Sequence, residues 1–75
     1  MPRYYFHVKD GQNFRDLQGT DLRDLPAART EALRFTGALL SEAVHGFWDG
    51  VEWSMVVADE AGETLFTLRF SASGP

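Results

Sequence analysis

The chain has 75 residues, no cysteine and a formal net charge of −4. This length predicts one small domain, and the absence of thiols excludes disulfides, cysteine zinc sites and thiol catalysis. Because the excess negative charge repels phosphate backbones, we do not expect a nucleic-acid partner. We expect a cytoplasmic protein without a membrane partner, since the chain lacks an apolar run of about 18 residues and charged residues come too early for a signal peptide.

The first segment predicts a β-hairpin. Arg3–Lys9 alternates apolar and polar side chains with the period of two that is typical of a half-buried strand. The Asp-Gly pair that follows is a strong turn signal, and a second strand is predicted at Asn13–Leu17. Two registers are open: a two-residue turn places Phe14 opposite His7, and a three-residue turn places it opposite Val8 in the core. We favour the second register because it buries the larger apolar group.

An amphipathic helix of about five turns is predicted after a loop at residues 18–21. Asp24 is its expected N-cap, because the carboxylate can accept hydrogen bonds from free amides of the first turn. Pro26 suits that turn, and Gly46 is expected to end the helix in the left-handed conformation. The apolar positions recur at steps of three and four residues and should face the sheet: Leu25, Ala28, Ala32, Phe35, Leu39 and Ala43.

A second hairpin is predicted at Glu52–Asp59 and Glu63–Phe70, with Gly62 in the left-handed position of a three-residue turn. Counting from this turn pairs Val57 with Leu65 and divides the apolar side chains between two faces. One face has Val56, Ala58, Phe66, Leu68 and Phe70. The other has Trp53, Met55, Val57 and Leu65. Because one helix can bury only one face, we assign the first and denser set to the helix.

The second set predicts an exposed apolar surface on the open face of the sheet. Together with two outward side chains of the first strand it forms the predicted interface: Tyr5, His7, Trp53, Met55, Val57 and Leu65. Apolar and aromatic side chains in such positions are typical of protein contacts. Because a small domain without disulfides or metal gains stability by association, we expect a homodimer through this face. Another protein partner, or a second small core covered by the tail or by Phe47-Trp48, is the alternative.

No motif for catalysis, metal binding or cofactor binding accompanies this surface. The aspartates near the first hairpin lack the alternating spacing of a calcium loop: Asp10, Asp16, Asp21 and Asp24. His7 and His45 lie on different elements and have no neighbouring ligands. The serines lack a nucleophile elbow, and the glycines do not form a phosphate-binding pattern. We therefore expect a non-enzymatic protein with no metal and no cofactor.

Several short segments carry a family resemblance: Met1–Gly11, Asp16, Gly19, Asp24-Leu25, Ala27-Ala28, Glu31-Ala32, Val57–Glu60 and Gly62. Over nearly the whole chain they resemble a family of short alphaproteobacterial proteins classed as a domain of unknown function. This resemblance implies no activity, cofactor or site residue. A weaker resemblance, in the order of hairpin, loop and Ala-rich helix, is to HicB-type antitoxins and implies a regulatory module. A small enzyme is a further alternative, which would need polar groups that converge in a pocket.

Together these elements predict one α+β domain at residues 1–70 and a flexible C-terminal tail at residues 71–75. The expected order is β-β-α-β-β, with the helix packed on one face of a four-stranded antiparallel sheet. The strand order 2-1-3-4, counted along the chain, keeps the helical crossover right-handed. The expected function is that of a protein-interaction module that self-associates.

Overall fold

The protein is an antiparallel β-sheet with one α-helix on one face, and the computed structural model describes residues 1–42 and 52–74. Its elements are β1 (Arg3–Lys9), β2 (Asn13–Phe14), β3 (Thr20–Asp21), α1 (Leu25–Glu42), β4 (Trp53–Ala58) and β5 (Thr64–Phe70). The predicted α+β class is confirmed. The expected helix end at Gly46 and the candidate cover Phe47-Trp48 lie outside the described residues.

The strands are arranged in the order β2-β1-β4-β5, and β3 is an additional partner of β1. This agrees with the predicted order, because β4 and β5 are the third and fourth predicted strands. Residues 20 and 21 were predicted to lie in a loop, but they form the short strand β3, in which Asp21 pairs with Arg3. β2 is shorter than the predicted strand Asn13–Leu17. Phe14 lies opposite Val8, as in the favoured register, but it is 53% exposed and therefore lies at the rim of the core.

The second hairpin contains a β-bulge that the sequence analysis did not predict. Its turn is the predicted one, with Gly62 in the left-handed region at a φ of 81°. The register then shifts between Val57 and Ala58. Because a bulge inserts one extra residue into one strand, Val57 lies opposite Phe66 and not opposite Leu65.

The bulge brings the two apolar stripes of the hairpin to one face. Three cross-strand pairs face α1: Trp53 with Phe70, Met55 with Leu68, and Val57 with Phe66. The β5 members were predicted to face the helix, which is confirmed. The prediction that the β4 members face outward is wrong, since their exposures are 3%, 0% and 0%. Val56 and Ala58 were predicted to face the helix. They alternate along β4 with Trp53, Met55 and Val57 and therefore lie on the opposite face of the sheet.

Helix α1 begins at its predicted N-cap and presents small side chains to the sheet. Asp24 accepts a hydrogen bond through Oδ1 from the amide N–H three residues later, at 3.0 Å. Ala28, Ala32 and Thr36 are buried at steps of four residues, and the Thr36 hydroxyl lies 3.8 Å from the methionine sulfur of β4. Leu39 is 39% exposed and lies at the rim. No helix in the described part of the chain is long and apolar enough to cross a membrane.

The hydrophobic core lies between α1 and the two central strands. Its buried members are Tyr4, Phe6, Ala28, Ala32, Trp53, Met55 and Val57. An edge-to-face contact of Phe6 with Phe35, with ring centroids 5.1 Å apart, links β1 to the helix. The outer strand is less well covered, because the side chains of Phe66, Leu68 and Phe70 are only half-buried.

Candidate functional site

The six residues of the predicted interface do not lie on one surface. The three from β4 are in the core, and only Tyr5 and His7 lie on the open face of the sheet. Leu65 is 37% exposed and lines a depression together with Pro2 and Leu25, near the start of α1. The continuous apolar open face that the sequence predicted is therefore not formed.

The open face carries a mixture of polar and apolar side chains. The rings of Tyr5 and His7 lie nearly parallel, with centroids 6.4 Å apart. Their neighbours on this face are Lys9, Ser54, Val56, Ala58, Thr67 and Arg69. Such a mixture is ordinary for an antiparallel sheet that packs on one face and contacts solvent on the other.

Asp16 connects the loop that follows β2 to the middle of β1. Its Oδ2 accepts a hydrogen bond from the Phe6 amide at 3.1 Å, and its Oδ1 accepts from the amides of Gln18 and Gly19 at 3.0 Å. The Asp16 amide donates in turn to Nδ1 of His7 at 3.0 Å. This bond needs an unprotonated Nδ1, so the neutral ring carries its proton on Nε2.

The charge state of Asp16 follows from these contacts. Partial burial raises the pKa of its carboxyl, but hydrogen bonds from three backbone N–H groups, led by that of Gly19, outweigh this and hold the pKa below its ordinary value. Gly19 has a φ of 73°, and a Cβ atom there would lie 2.8 Å from the Arg3 side chain. The arrangement is structural, because both carboxylate oxygens already accept hydrogen bonds from the backbone.

The other aspartates near the first hairpin have separate positions. Asp21 forms an ion pair with Nε of Arg3 at 3.1 Å, Asp24 caps α1, and Asp10 is exposed in the first turn. Within residues 1–42 and 52–74, no three His, Asp or Glu side chains are grouped so that they could hold a metal ion. His45 lies outside the described residues, and the absence of a metal stays a prediction.

A surface depression of about 390 Å³ lies on the open face beside β1. Its lining includes His7, Lys9, Arg15 and Thr64. Among the described residues that line it there is no carboxylate, so this depression does not present the paired acid and base of general acid–base catalysis.

The candidate site that the structure favours is the outer side of β5. β5 ends the strand order, and no described strand pairs with its outer edge. We call this edge, with four of its apolar side chains, the β5 edge surface: Leu65, Phe66, Leu68 and Phe70. Of these four residues, only Leu65 was in the predicted interface, because the other three were predicted to be covered by the helix. The order of the strands was the available signal, since an outermost strand has a neighbour on one side only.

Comparison with known proteins agrees with the predicted family resemblance. Residues 3–71 match the family described as Domain of unknown function (DUF6894), and this range includes every helix and strand that the structure describes. No curated protein and no solved structure matches the chain. Because the match spans well over half of its 75 residues, the chain belongs to the DUF6894 family of domains of unknown function.

Proposed function

We propose that this protein is a non-enzymatic protein-interaction module that forms a homodimer through the β5 edge surface. The observation that carries the proposal is the incomplete cover of β5: three large apolar side chains of an outermost strand are half-buried, and Leu65 beside them is 37% exposed. Apolar side chains at an uncovered strand edge are typical of a protein contact.

The sequence predicted self-association through the open face of the sheet, whereas the contact proposed here is through the β5 edge surface. Three of the six predicted interface residues lie in the core and not on the open face, and burying this face would desolvate polar groups such as Lys9 and Ser54. Burying the β5 edge surface instead covers apolar area and supplies partners for backbone groups. Burial of the β5 edge surface therefore costs less free energy than burial of the open face, which favours association through β5.

The size of the chain supports the proposal independently. A domain of this length buries only about 60% of the surface that its unfolded chain exposes. Because the chain has no cysteine, no disulfide supports its core. Association of two copies is a common way to bury further apolar area in such domains.

Sedimentation of three proteins tests the proposal. The parent chain at tens of micromolar should sediment as a dimer. Leu65→Glu, which places a charge in the β5 edge surface, should sediment as a monomer and keep the parent circular dichroism spectrum. Leu33→Glu is the matched control, because Leu33 is 60% exposed on α1, and this variant should remain a dimer. A monomeric parent, or a dimeric Leu65→Glu variant, would contradict the proposal.

A regulatory module like the HicB-type antitoxins is the second candidate, and its support is the order of hairpin, helix and hairpin along the chain. Co-expression with the product of an adjacent gene tests this candidate: relief of growth arrest by this chain would favour it over simple self-association. The alphaproteobacterial origin and the cytoplasmic location stay predictions from the sequence.

A further inference from the structure

We propose that the depression on the open face beside β1 binds a phosphate group carried by a small molecule. The depression has a volume of about 390 Å³, and its floor is the side of β4 that faces away from α1. None of the four side chains of the β5 edge surface lines it. The proposal therefore goes beyond self-association and does not depend on it.

Two cationic side chains without ion pairs lie at this depression. Lys9 is the last residue of β1, and Arg15 follows β2, which pairs with β1. Both side chains are exposed, and neither forms an ion pair with a carboxylate of residues 1–42 or 52–74. Because no described carboxylate neutralises them, both charges are available to an anionic ligand.

The positive charge of the depression is opposite to the balance of the whole chain. The chain has eleven acidic residues against seven Lys and Arg, but no carboxylate is among the described residues that line the depression. Asp16 lies near His7, and both its oxygens already accept hydrogen bonds from the backbone. Such a separation of charge lets a protein with a net negative charge attract an anion to one place.

His7 contributes a hydrogen-bond donor of fixed position to the same depression. Its Nδ1 accepts from the Asp16 amide at 3.0 Å, so the neutral ring carries its proton on Nε2. No group in the described part of the chain accepts a hydrogen bond from this Nε2–H. Further neutral donors line the depression on its other sides: Asn13, Ser54 and Thr64.

This set of donors suits phosphate better than a carboxylate. A phosphate monoester has about −1.5 to −2 charges at pH 7 and three acceptor oxygens, whereas a carboxylate has one charge and two oxygens. Lysine supplies a compact charge and arginine a planar array of N–H donors, and both bind phosphate in proteins. The two cations and the His7 donor therefore match both the charge and the number of oxygens of a phosphate group.

The remainder of the depression favours a small molecule over a nucleic acid. Val56 and Ala58 give it an apolar floor beside the cations, which can contact the carbon part of a phosphorylated metabolite. A nucleic acid would extend beyond the depression over a chain with a net charge of −4, which repels its other phosphates.

An NMR titration with inorganic phosphate, at about pH 7.5 and constant ionic strength, tests the proposal. Saturable shifts are expected at the amides of His7, Lys9 and Arg15. Lys9→Gln and Arg15→Gln should each raise the phosphate dissociation constant about fivefold or more. Arg29→Gln is the matched control: it removes the same charge from an exposed arginine of α1 and should leave the constant within about twofold of the parent.

Each other outcome contradicts a defined part of the proposal. Shifts that do not saturate, or an equal loss of affinity in all three variants, would overturn the site. Acetate that binds as tightly as phosphate would overturn the assignment to phosphate, and a single-stranded oligothymidylate that binds more tightly would overturn the assignment to a small molecule. Because the three substituted side chains are exposed, all variants should keep the parent circular dichroism spectrum.

Discussion

Asp16 shows how one side chain organises a loop in this small protein. Its ionised carboxylate accepts hydrogen bonds from backbone N–H groups of β1 and of the loop that follows β2. An ionised carboxylate is a stronger acceptor than a neutral one, so folding lowers the pKa of this group. Stability from a lowered carboxyl pKa is complete above the ordinary pKa and is lost as the pH falls through the lower pKa of the folded state.

The substitution Asp16→Asn tests this role. We expect it to lower the free energy of unfolding at pH 7 by about 1–3 kcal/mol, because an amide group cannot accept all three backbone hydrogen bonds. The deficit should shrink near pH 3, below the ordinary carboxyl pKa of about 3.9, because the unfolded chain takes up a proton at this position more readily than the folded protein does. Urea unfolding at both pH values measures the difference.

Asp10→Asn is the matched control for this experiment. Asp10 is exposed, and no described group donates a hydrogen bond to its side chain, so the change should stay within about 0.5 kcal/mol of the parent. A deficit of Asp16→Asn that is equally large at both pH values would show that the charge is not the source of stability.

At the scale of elements, α1 contacts the sheet chiefly through the line of small residues over β4. Ala28 and Ala32 are both 0% exposed, so the helix backbone lies close to the strand there. Toward its end, Leu39 is 39% exposed while Leu40 packs against the core. The side of α1 that was predicted to face the sheet does face it in the first turns of the helix. At Leu39 this side no longer faces the core.

A comparison of three aspartate substitutions on α1 tests this orientation. Ala32→Asp would bury an unpaired charge against β4, at a cost of several kcal/mol that is comparable with the whole stability of a small domain, and cooperative unfolding should be lost. Leu39→Asp should lower stability by about 1 kcal/mol, and Leu33→Asp should change little. Thermal unfolding, monitored by circular dichroism, measures the stability of the three variants. A folded Ala32→Asp variant, or an unfolded Leu39→Asp variant, would contradict the orientation.

The sequence contains enough information to predict most elements but not the bulge. Period-two alternation located β1, the turn residues located both hairpins, and the capping carboxylate located the start of α1, because each depends on a local pattern. The bulge depends on packing between strands: only a one-residue shift puts Trp53, Met55 and Val57 beside Phe70, Leu68 and Phe66. The turn was predicted correctly, but the strand pairing counted outward from it did not include this shift. The β4 residues of the predicted interface were therefore assigned to the wrong face of the sheet.

At the scale of the whole molecule, β5 is less well covered than the central strands β1 and β4. β1 and β4 lie in the middle of the sheet beneath the core, whereas β5 has a strand on one side only among the described residues. A second copy would bury the half-covered side chains of Phe66, Leu68 and Phe70 and would lengthen the sheet. The proposed self-association is therefore expected to be coupled to the stability of the domain.

The dependence of the melting temperature on protein concentration tests this coupling most directly. A dimer that dissociates on unfolding is stabilised by mass action, so the melting temperature of the parent should rise by about 5 °C or more between about 2 and 200 µM. Leu65→Glu should melt at one temperature over the same range, and Leu33→Glu should follow the parent. A parent melting temperature that does not change with concentration would contradict the claim that this domain is stabilised by its own second copy.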